Sequence, residues 1–281
     1  MRLLWICGLA WNAIAAEPAW ERAKALYEQT QYDESLKALT GLAASGPVSS
    51  LRGRNYFMKN DFKQAATLFE QAISLVPNSS EYYLWLGRAF GRRAETSSFL
   101  TAPGYASKAR QNFEKAVQLD PKNGEALSDL FEYYLQAPGF LGGGQDKAIA
   151  LIEKMAAIDP AERHFAQARV AEEQKDWVQV EAQLRRAADL APQQIGRLID
   201  LAKFFSKRGR PAEAEAIFAR AAKLNPESPK LLIERAAAYV EQRQNPAEAR
   251  RLLERYLKAK LTPDDRPREE ARKLLERLPK G

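Results

Sequence analysis

The stretch "QAPGFLGGGQDKA", Gln136 to Ala148, sets three consecutive glycines ahead of a lysine. Residues of these types could cradle a phosphate, since glycines let backbone N–H groups close around an anion and a lysine adds charge. A Walker loop needs G-x-x-x-x-G-K-[ST] behind a strand. Gly139 and Gly144 have the glycine spacing, but Gln145-Asp146 follows in place of Lys-Ser or Lys-Thr, and no strand-like run precedes them. A dinucleotide fingerprint fails for want of a βαβ setting. The chain has one His, His164, and one Cys, Cys7. A zinc site needs several such ligands, and a Ser-His-Asp or Cys-His mechanism needs a His beside its nucleophile. Glu172-Glu173 and Asp264-Asp265 are adjacent carboxylates, which diverge on a helix and make poor acid–base pairs. The expectation is therefore no catalytic residue, no metal and no cofactor. The glycines are left as a turn between helices or as part of a small recognition loop.

Composition narrows the partner. A hydrophobic fraction of 46% with 28% charged residues over 281 residues describes an ordered chain with room for one large or two ordinary domains. The net charge of +7 and pI near 9.4 favour acidic partners: anionic peptides, acidic polysaccharide, lipid head groups or nucleic acid. Acids and bases alternate along most segments and no basic tail is present, so no specific nucleic-acid reading follows.

The first residues, "MRLLWICGLAWNAIAAEP", place one Arg before an apolar run from Leu3 to Trp11 and then small residues. Ala13-Ile14-Ala15 fits an A-x-A cleavage site, which predicts a signal peptide over 1–15 and a periplasmic or secreted protein over 16–281. The run is shorter than the roughly 20 residues of a membrane helix, so no transmembrane segment is expected after cleavage. Removal of Arg2 leaves +6, and removal of Cys7 leaves no cysteine, so stability must come from packing alone.

What would position any binding residue is a repeat. Five segments close alike: "SLVPN", "QLDPKN", "AIDP", "LAPQ" and "KLNPES". Aligned on the closing proline, Ala65, Ala109, Ala148, Val180 and Ala214 form one column. Phe69, Phe113, Ile152, Leu184 and Phe218 form the next, and Ala72, Ala116, Met155, Ala187 and Ala221 a third. Spacings of four and then three put all three residues on one helix face, where the small ones admit a neighbouring helix and the large one fills the remaining space. The proline ends each unit. A second helical stretch precedes each such helix, most plainly "YYLWLGRAF" from Tyr82, in which Gly87 makes room and Phe90 covers.

This pattern resembles the tetratricopeptide repeat family, a helix–turn–helix unit of about 34 residues. The best match carries Leu198, Leu201, Ala202, Phe205, Ala214, Phe218, Ala221 and Pro226. The resemblance implies an all-α, right-handed superhelical solenoid of antiparallel helix pairs, about seven repeats with a capping segment over 262–281. His164 and Tyr256 depart from the pattern, and the unit closing at Pro77 keeps only Gly53 of a Leu-Gly pair. Prolines 77, 121 and 160 lie further apart than one repeat requires, which predicts enlarged turns at 91–105 and 135–145. Both hold Ala-Pro-Gly and an aromatic, so Pro103, Gly104, Tyr105, Pro138, Gly139 and Phe140 form a candidate loop site, the two turns lying side by side.

The family's first helices line a concave groove. Carried over position by position, that groove holds Arg54, Phe57, Leu84, Arg88, Arg92, Ser128, Glu132, Phe165, Arg169, Ile199, Lys203 and Lys207. Its cations suit a protein or acidic peptide, since Arg binds carboxylate through two parallel hydrogen bonds. The resemblance implies a non-catalytic protein–protein interaction scaffold of the cell envelope. The alternative is an adaptor that binds acidic polysaccharide or peptidoglycan through a basic face. An enzyme would need a pocket of perturbed titratable groups beside the Ala-Pro-Gly loops.

Overall fold

The computed structural model describes the backbone of residues 7–279 and side chains from residue 18 onward. The expected signal peptide, 1–15, falls outside the described side chains, and its first six residues fall outside the described residues altogether.

Every described element is helical. In chain order the helices are α1 (Cys7–Glu28), α2 (Tyr32–Ala38), α3 (Gly46–Met58), α4 (Phe62–Leu75), α5 (Ser80–Thr96), α6 (Ala102–Leu119), α7 (Gly124–Gln136) and α8 (Gln145–Ala156). They continue as α9 (Pro160–Glu173), α10 (Trp177–Leu190), α11 (Ile195–Lys207), α12 (Pro211–Leu224), α13 (Pro229–Gln242), α14 (Pro246–Lys258) and α15 (Arg268–Glu276). Twelve of them pack as six helix–turn–helix pairs, α1–α2, α3–α4, α5–α6, α9–α10, α11–α12 and α13–α14. Helices α7 and α8 follow one another between the third and fourth pairs, and α15 caps the last by packing on α13 and α14. Starts are set by side chains that accept orphan N–H groups: Ser45 from Val48, Asp61 from Gln64, Ser79 from Tyr82, Asn123 from Ala126, Asp176 from Gln179 and Ser228 from Leu231.

The chain divides into two compact units, residues 1–154 and 155–281. In the first, α1 packs on α2, α3 on α4 and α5 on α6, and first helices also touch one another, α3 with α5 and α5 with α7. In the second, α9 packs on α10, α11 on α12 and α13 on α14, with α11 against α13. All fifteen residues of the three sequence columns are buried, from Ala65 and Phe69 at 0% exposure to Phe113 and Leu184 at 7%. Gly87 shows why the partner column needs its glycine: a Cβ there would lie 2.6 Å from two ring carbons of Phe113. Tyr256 stands where a small residue is usual, yet is fully buried, because its hydroxyl donates to the Arg266 carbonyl and so ties α14 to the chain entering α15.

Five connections within pairs have three residues: 29–31, 59–61, 174–176, 208–210 and 243–245. In the first four, the residue two places before the second helix (Thr30, Asn60, Lys175 or Gly209) takes a left-handed φ between 57° and 69°. The turns predicted at 91–105 and 135–145 are enlarged but differently bounded. Residues 91–96 continue α5 and 102–105 open α6, so only 97–101 connect them. The additional residues lengthen α5 to 17 and α6 to 18 residues. Pro103 does not prevent this, because it sits in the first turn of α6, where its missing N–H would have no partner anyway. The second connection is 137–144, with one 3₁₀ turn at Gly139–Leu141. The two Ala-Pro-Gly segments are therefore not equivalent: one begins a helix, the other follows one.

Candidate functional site

The glycine run is built to close a loop. Gly142 and Gly144 have φ of +85° and +152°, and a Cβ on Gly143 would lie 1.8 Å from the Ala137 carbonyl oxygen. The N–H groups a phosphate would need are all used: Gly142 donates to Gly139, Gly143 to Pro138 and Gly144 to Tyr134, at 2.9, 3.3 and 2.8 Å. The Lys147 ammonium donates to the Gly142 carbonyl at 2.9 Å. The loop is thus satisfied from within, and its glycines answer a backbone requirement.

That loop walls a pocket of about 430 Å³ in the first unit. Its floor comes from Phe57 on α3 and from Ala106, Ala109 and Phe113 on α6. Arg88, Gly91, Arg92 and Glu95 of α5 line it, as do Asp129, Glu132 and Tyr133 of α7, with Pro138 and Leu141 from the connection. The structure thus brings Phe57, Arg88, Arg92 and Glu132 together with Pro138. Leu84 is not with them: it is buried at 2%. Ser128 lies on α7 but does not line the pocket. Arg54 opens instead onto a cleft of about 600 Å³ beside Trp20, Lys24 and Glu81. Of the loop residues, Pro103 and Gly104 are exposed on α6, away from the pocket lining. Tyr105 stacks on Phe90 and receives a hydrogen bond from Arg93 at 2.5 Å, so it is occupied structurally. Gly139 and Phe140 are exposed.

The cations of this face are engaged. Arg54 pairs with Glu81, and Arg88 with Glu125 at 2.9 Å and Asp129 at 2.6 Å. Both guanidiniums also lie against Trp85, 4.8 and 4.9 Å from its ring centre. Arg92 pairs with Glu95 at 2.5 Å and covers the Phe62 ring. Burial pushes the Asp129 carboxyl above its usual range, against the pull of Arg88. Burial and a hydrogen bond to Glu114 likewise push the Tyr134 hydroxyl up to about 12. The pocket's ionised groups, Arg88 and Arg92 against Glu95, Asp129 and Glu132, do not add up to a cationic site.

The second unit has its own pocket, about 250 Å³, between α9, α10 and α11. Phe165, Trp177, Val180, Leu184 and Phe204 make it apolar, and Arg169, Lys203, Lys207 and Arg208 rim it with Glu172 and Asp200. Here the expected Phe165, Arg169, Lys203 and Lys207 do converge. Ile199 does not; it is fully buried. Arg169 pairs with Glu172, Lys203 with Glu234 of α13 at 3.0 Å, and Arg208 covers Trp177 at 4.6 Å. Four cations against two acids leave this rim positive. Burial raises the Asp200 carboxyl above its ordinary range, opposed by Lys230, Arg197 and Lys203. Among the described residues no cluster of three His, Cys, Asp or Glu could hold a metal, and no helix is long and apolar enough to cross a membrane. His164 meets Gln183 at 2.7 Å on the neighbouring helix.

Sequence reasoning missed Asp129, Asp200 and Phe204; Trp177, expected to fill a core or inter-helix position, packs against the core of the second unit and also lines its pocket. Asp129 and Asp200 share a repeat position, each just ahead of a buried leucine, Leu130 or Leu201. That shared position was the available signal.

Comparison with known proteins agrees with the geometry. Tetratricopeptide repeat models match residues 205–266 and 50–93. The chain is 27% identical over 169 residues, 57% of its length, to the Cellulose synthase operon protein C of Xanthomonas axonopodis pv. citri, covering 10% of that protein. It is 29% identical over 111 residues, 38% of its length, to the Superkiller complex protein 3 of Mus musculus, covering 7% of it. The chain thus spans a tenth or less of either relative. Among solved structures, a tetratricopeptide repeat protein from Parabacteroides merdae superposes with a TM-score of 0.58 at 13% identity, over 94% of this chain and 98% of that one. One from Thermus thermophilus gives 0.52 at 22% identity, over 69% and 99%. Helix pairs in register, buried small–large–small columns and two matched stretches lead to one conclusion: residues 50–93 and 205–266 match tetratricopeptide repeats, and the chain shares the fold of tetratricopeptide repeat proteins.

Proposed function

We propose that this protein is an exported, non-catalytic scaffold of the cell envelope that binds a partner protein or peptide along its first helices. Tetratricopeptide repeats in general mediate protein–protein interaction, which is the coarser frame. The observation that carries the finer reading is the pair of pockets, each with an apolar floor to which first and second helices both contribute, Phe57 with Ala109 and Phe113 in one, Phe165 and Phe204 with Val180 and Leu184 in the other, and each rimmed by charge already placed. An apolar side chain of the partner fills such a floor, and the rim fixes its neighbours. The acidic-peptide expectation belongs to the second unit, where cations exceed acids. In the first unit, internal pairing favours an apolar anchor. The signal-like opening, residues 1–15, supports export.

Acidic envelope polysaccharide is the second reading, supported by the net charge of +6 after cleavage. One experiment separates the two. The purified chain, wild type and Gly91→Phe, is used to capture partners from envelope extract at low and high salt. Gly91 lines the first pocket, and a Cβ added there would meet nothing within 4 Å, so phenylalanine is the substitution aimed at the pocket, with helical circular dichroism as the check that the fold is kept. A discrete protein held at high salt and lost with Gly91→Phe supports the scaffold. Acidic polymer alone, lost at high salt and indifferent to Gly91→Phe, supports the adaptor.

A further inference from the structure

The two connections that depart from the three-residue turn carry the most exposed apolar side chains of the first unit. Phe99 and Leu100, between α5 and α6, are 83% and 76% exposed, and Phe140, between α7 and α8, is 83% exposed. Elsewhere among the described residues only Val178, at 77%, matches them, and the other exposed large apolar residues lie between 37% and 47%. Solvent-facing phenylalanines at two neighbouring tips are costly unless something covers them.

The tips are held out by ordered turns. Thr101 and Ala102 donate to the Ser98 carbonyl at 3.0 and 2.9 Å. Leu141 donates to Pro138 at 2.9 Å, and the Tyr133 hydroxyl donates to the Leu141 carbonyl at 2.9 Å. They also share one end of the unit. The last turn of α5, through Ala94 and Glu95, borders the same pocket as Pro138 and Leu141, and the Arg110 side chain of α6 packs against Gly142. Around the first tip the chain carries Arg92, Arg93, Lys108 and Arg110 against Glu95 and Glu114. With Arg92 paired to Glu95 and Arg110 to Glu114, the excess positive charge rests on Arg93 and Lys108, both lying over Phe90.

We infer that these tips form a wedge, Phe99, Leu100 and Phe140, that inserts into an anionic lipid surface while the basic residues behind it meet the head groups. The side chains protrude and offer no concavity for a complementary protein knob. A bilayer interface needs no such shape match, accepts aromatic rings at head-group depth, and attracts lysine and arginine when anionic. Phe99, Leu100 and Phe140 do not line the first pocket, so the wedge is a surface distinct from that floor.

The test is co-sedimentation of the full chain with vesicles of phosphatidylglycerol and phosphatidylcholine in equal parts, and with phosphatidylcholine alone. Wild type should sediment with the anionic vesicles and far less with the neutral ones. Phe99→Ser/Leu100→Ser/Phe140→Ser should lose roughly tenfold or more in partitioning with its helical circular dichroism intact, since all three sites are solvent-facing. A Phe99→Trp variant should shift its emission to the blue on anionic vesicles, as an inserted indole does. Wild type left in the supernatant would overturn the inference, as would a triple variant that binds like wild type. So would a protein from envelope extract that is captured by wild type, lost by the triple variant, and bound with no vesicle affinity at all.

Discussion

Two glycines one helical turn apart in α5 should respond oppositely to the same methyl group. Gly87 and Gly91 both lie inside the helix, where alanine is intrinsically better by about 1 kcal/mol. At Gly91 nothing lies within 4 Å of the added Cβ, so Gly91→Ala should keep that gain. At Gly87 the Cβ would meet the Phe113 ring at 2.6 Å. Phe113 is 7% exposed and wedged between α5 and α6, so it yields only if the helices part. Overpacking of this kind costs about 1–3 kcal/mol, which cancels or exceeds the helical gain. In a folded unit of this size 1 kcal/mol moves the melting temperature by about 2–4 °C. Gly91→Ala should therefore melt a few degrees above wild type and Gly87→Ala at or below it. Gly87→Leu should fall much further, by loosening the central repeats. Thermal unfolding followed by circular dichroism at 222 nm reads all three. If Gly87→Ala gains as much as Gly91→Ala, the close contact between α5 and α6, and the repeat register with it, is refuted.

Other expectations follow from single contacts. Phe69→Ala removes a fully buried ring from the α3–α4 interface and should cost about 3–5 kcal/mol in urea unfolding; a loss below about 1 kcal/mol would contradict that burial. Gly143→Ala should open the 137–144 connection, and limited proteolysis should then cut there and spare α7; unchanged resistance would refute the tight approach to Ala137. Because burial raises the Asp200 carboxyl, the folded chain binds that proton more tightly than the unfolded chain does. Its charge therefore weakens the fold progressively as pH rises from near 3.9, the ordinary value, through the raised one. Asp200→Asn should stabilise at pH 7 and change little at pH 3; a destabilised variant at pH 7 would refute the reasoning by showing that Lys230, Arg197 and Lys203 outweigh the burial.

The core was legible because burial on one helix face imposes a fixed spacing. Ala65, Phe69 and Ala72 and their equivalents could be read off and all are buried. The groove was less legible. Leu84 and Ile199 occupy groove positions in the alignment, but first helices pack on their own partners and on the next first helix, so part of that face is core. Charge pairing was hidden for a related reason: it depends on distances between repeats. It nonetheless left a trace. Arg54 and Arg88 reach acids, Glu81 and Glu125, that lie seven residues short of one full repeat further on, since Gly53 and Gly87 are 34 apart and Pro77 and Pro121 are 44 apart. Arg88–Asp129 and Lys203–Glu234 lie three residues short, one helical turn along. A cation searched against acids at those offsets would have been recognised as paired. The connection 97–101 was misjudged because Pro103 and Gly104 signal a turn in isolation, whereas the first turn of a helix tolerates both.

The central claim is that partners lie along the first helices. It is tested most directly by site-specific photo-crosslinking in envelope extract, with a benzophenone amino acid placed either at Gly91, in the first pocket, or at Lys63, exposed on α4. A discrete adduct at position 91 and none at 63 is the predicted result. The same adduct from position 63 alone, with none from 91, would contradict it.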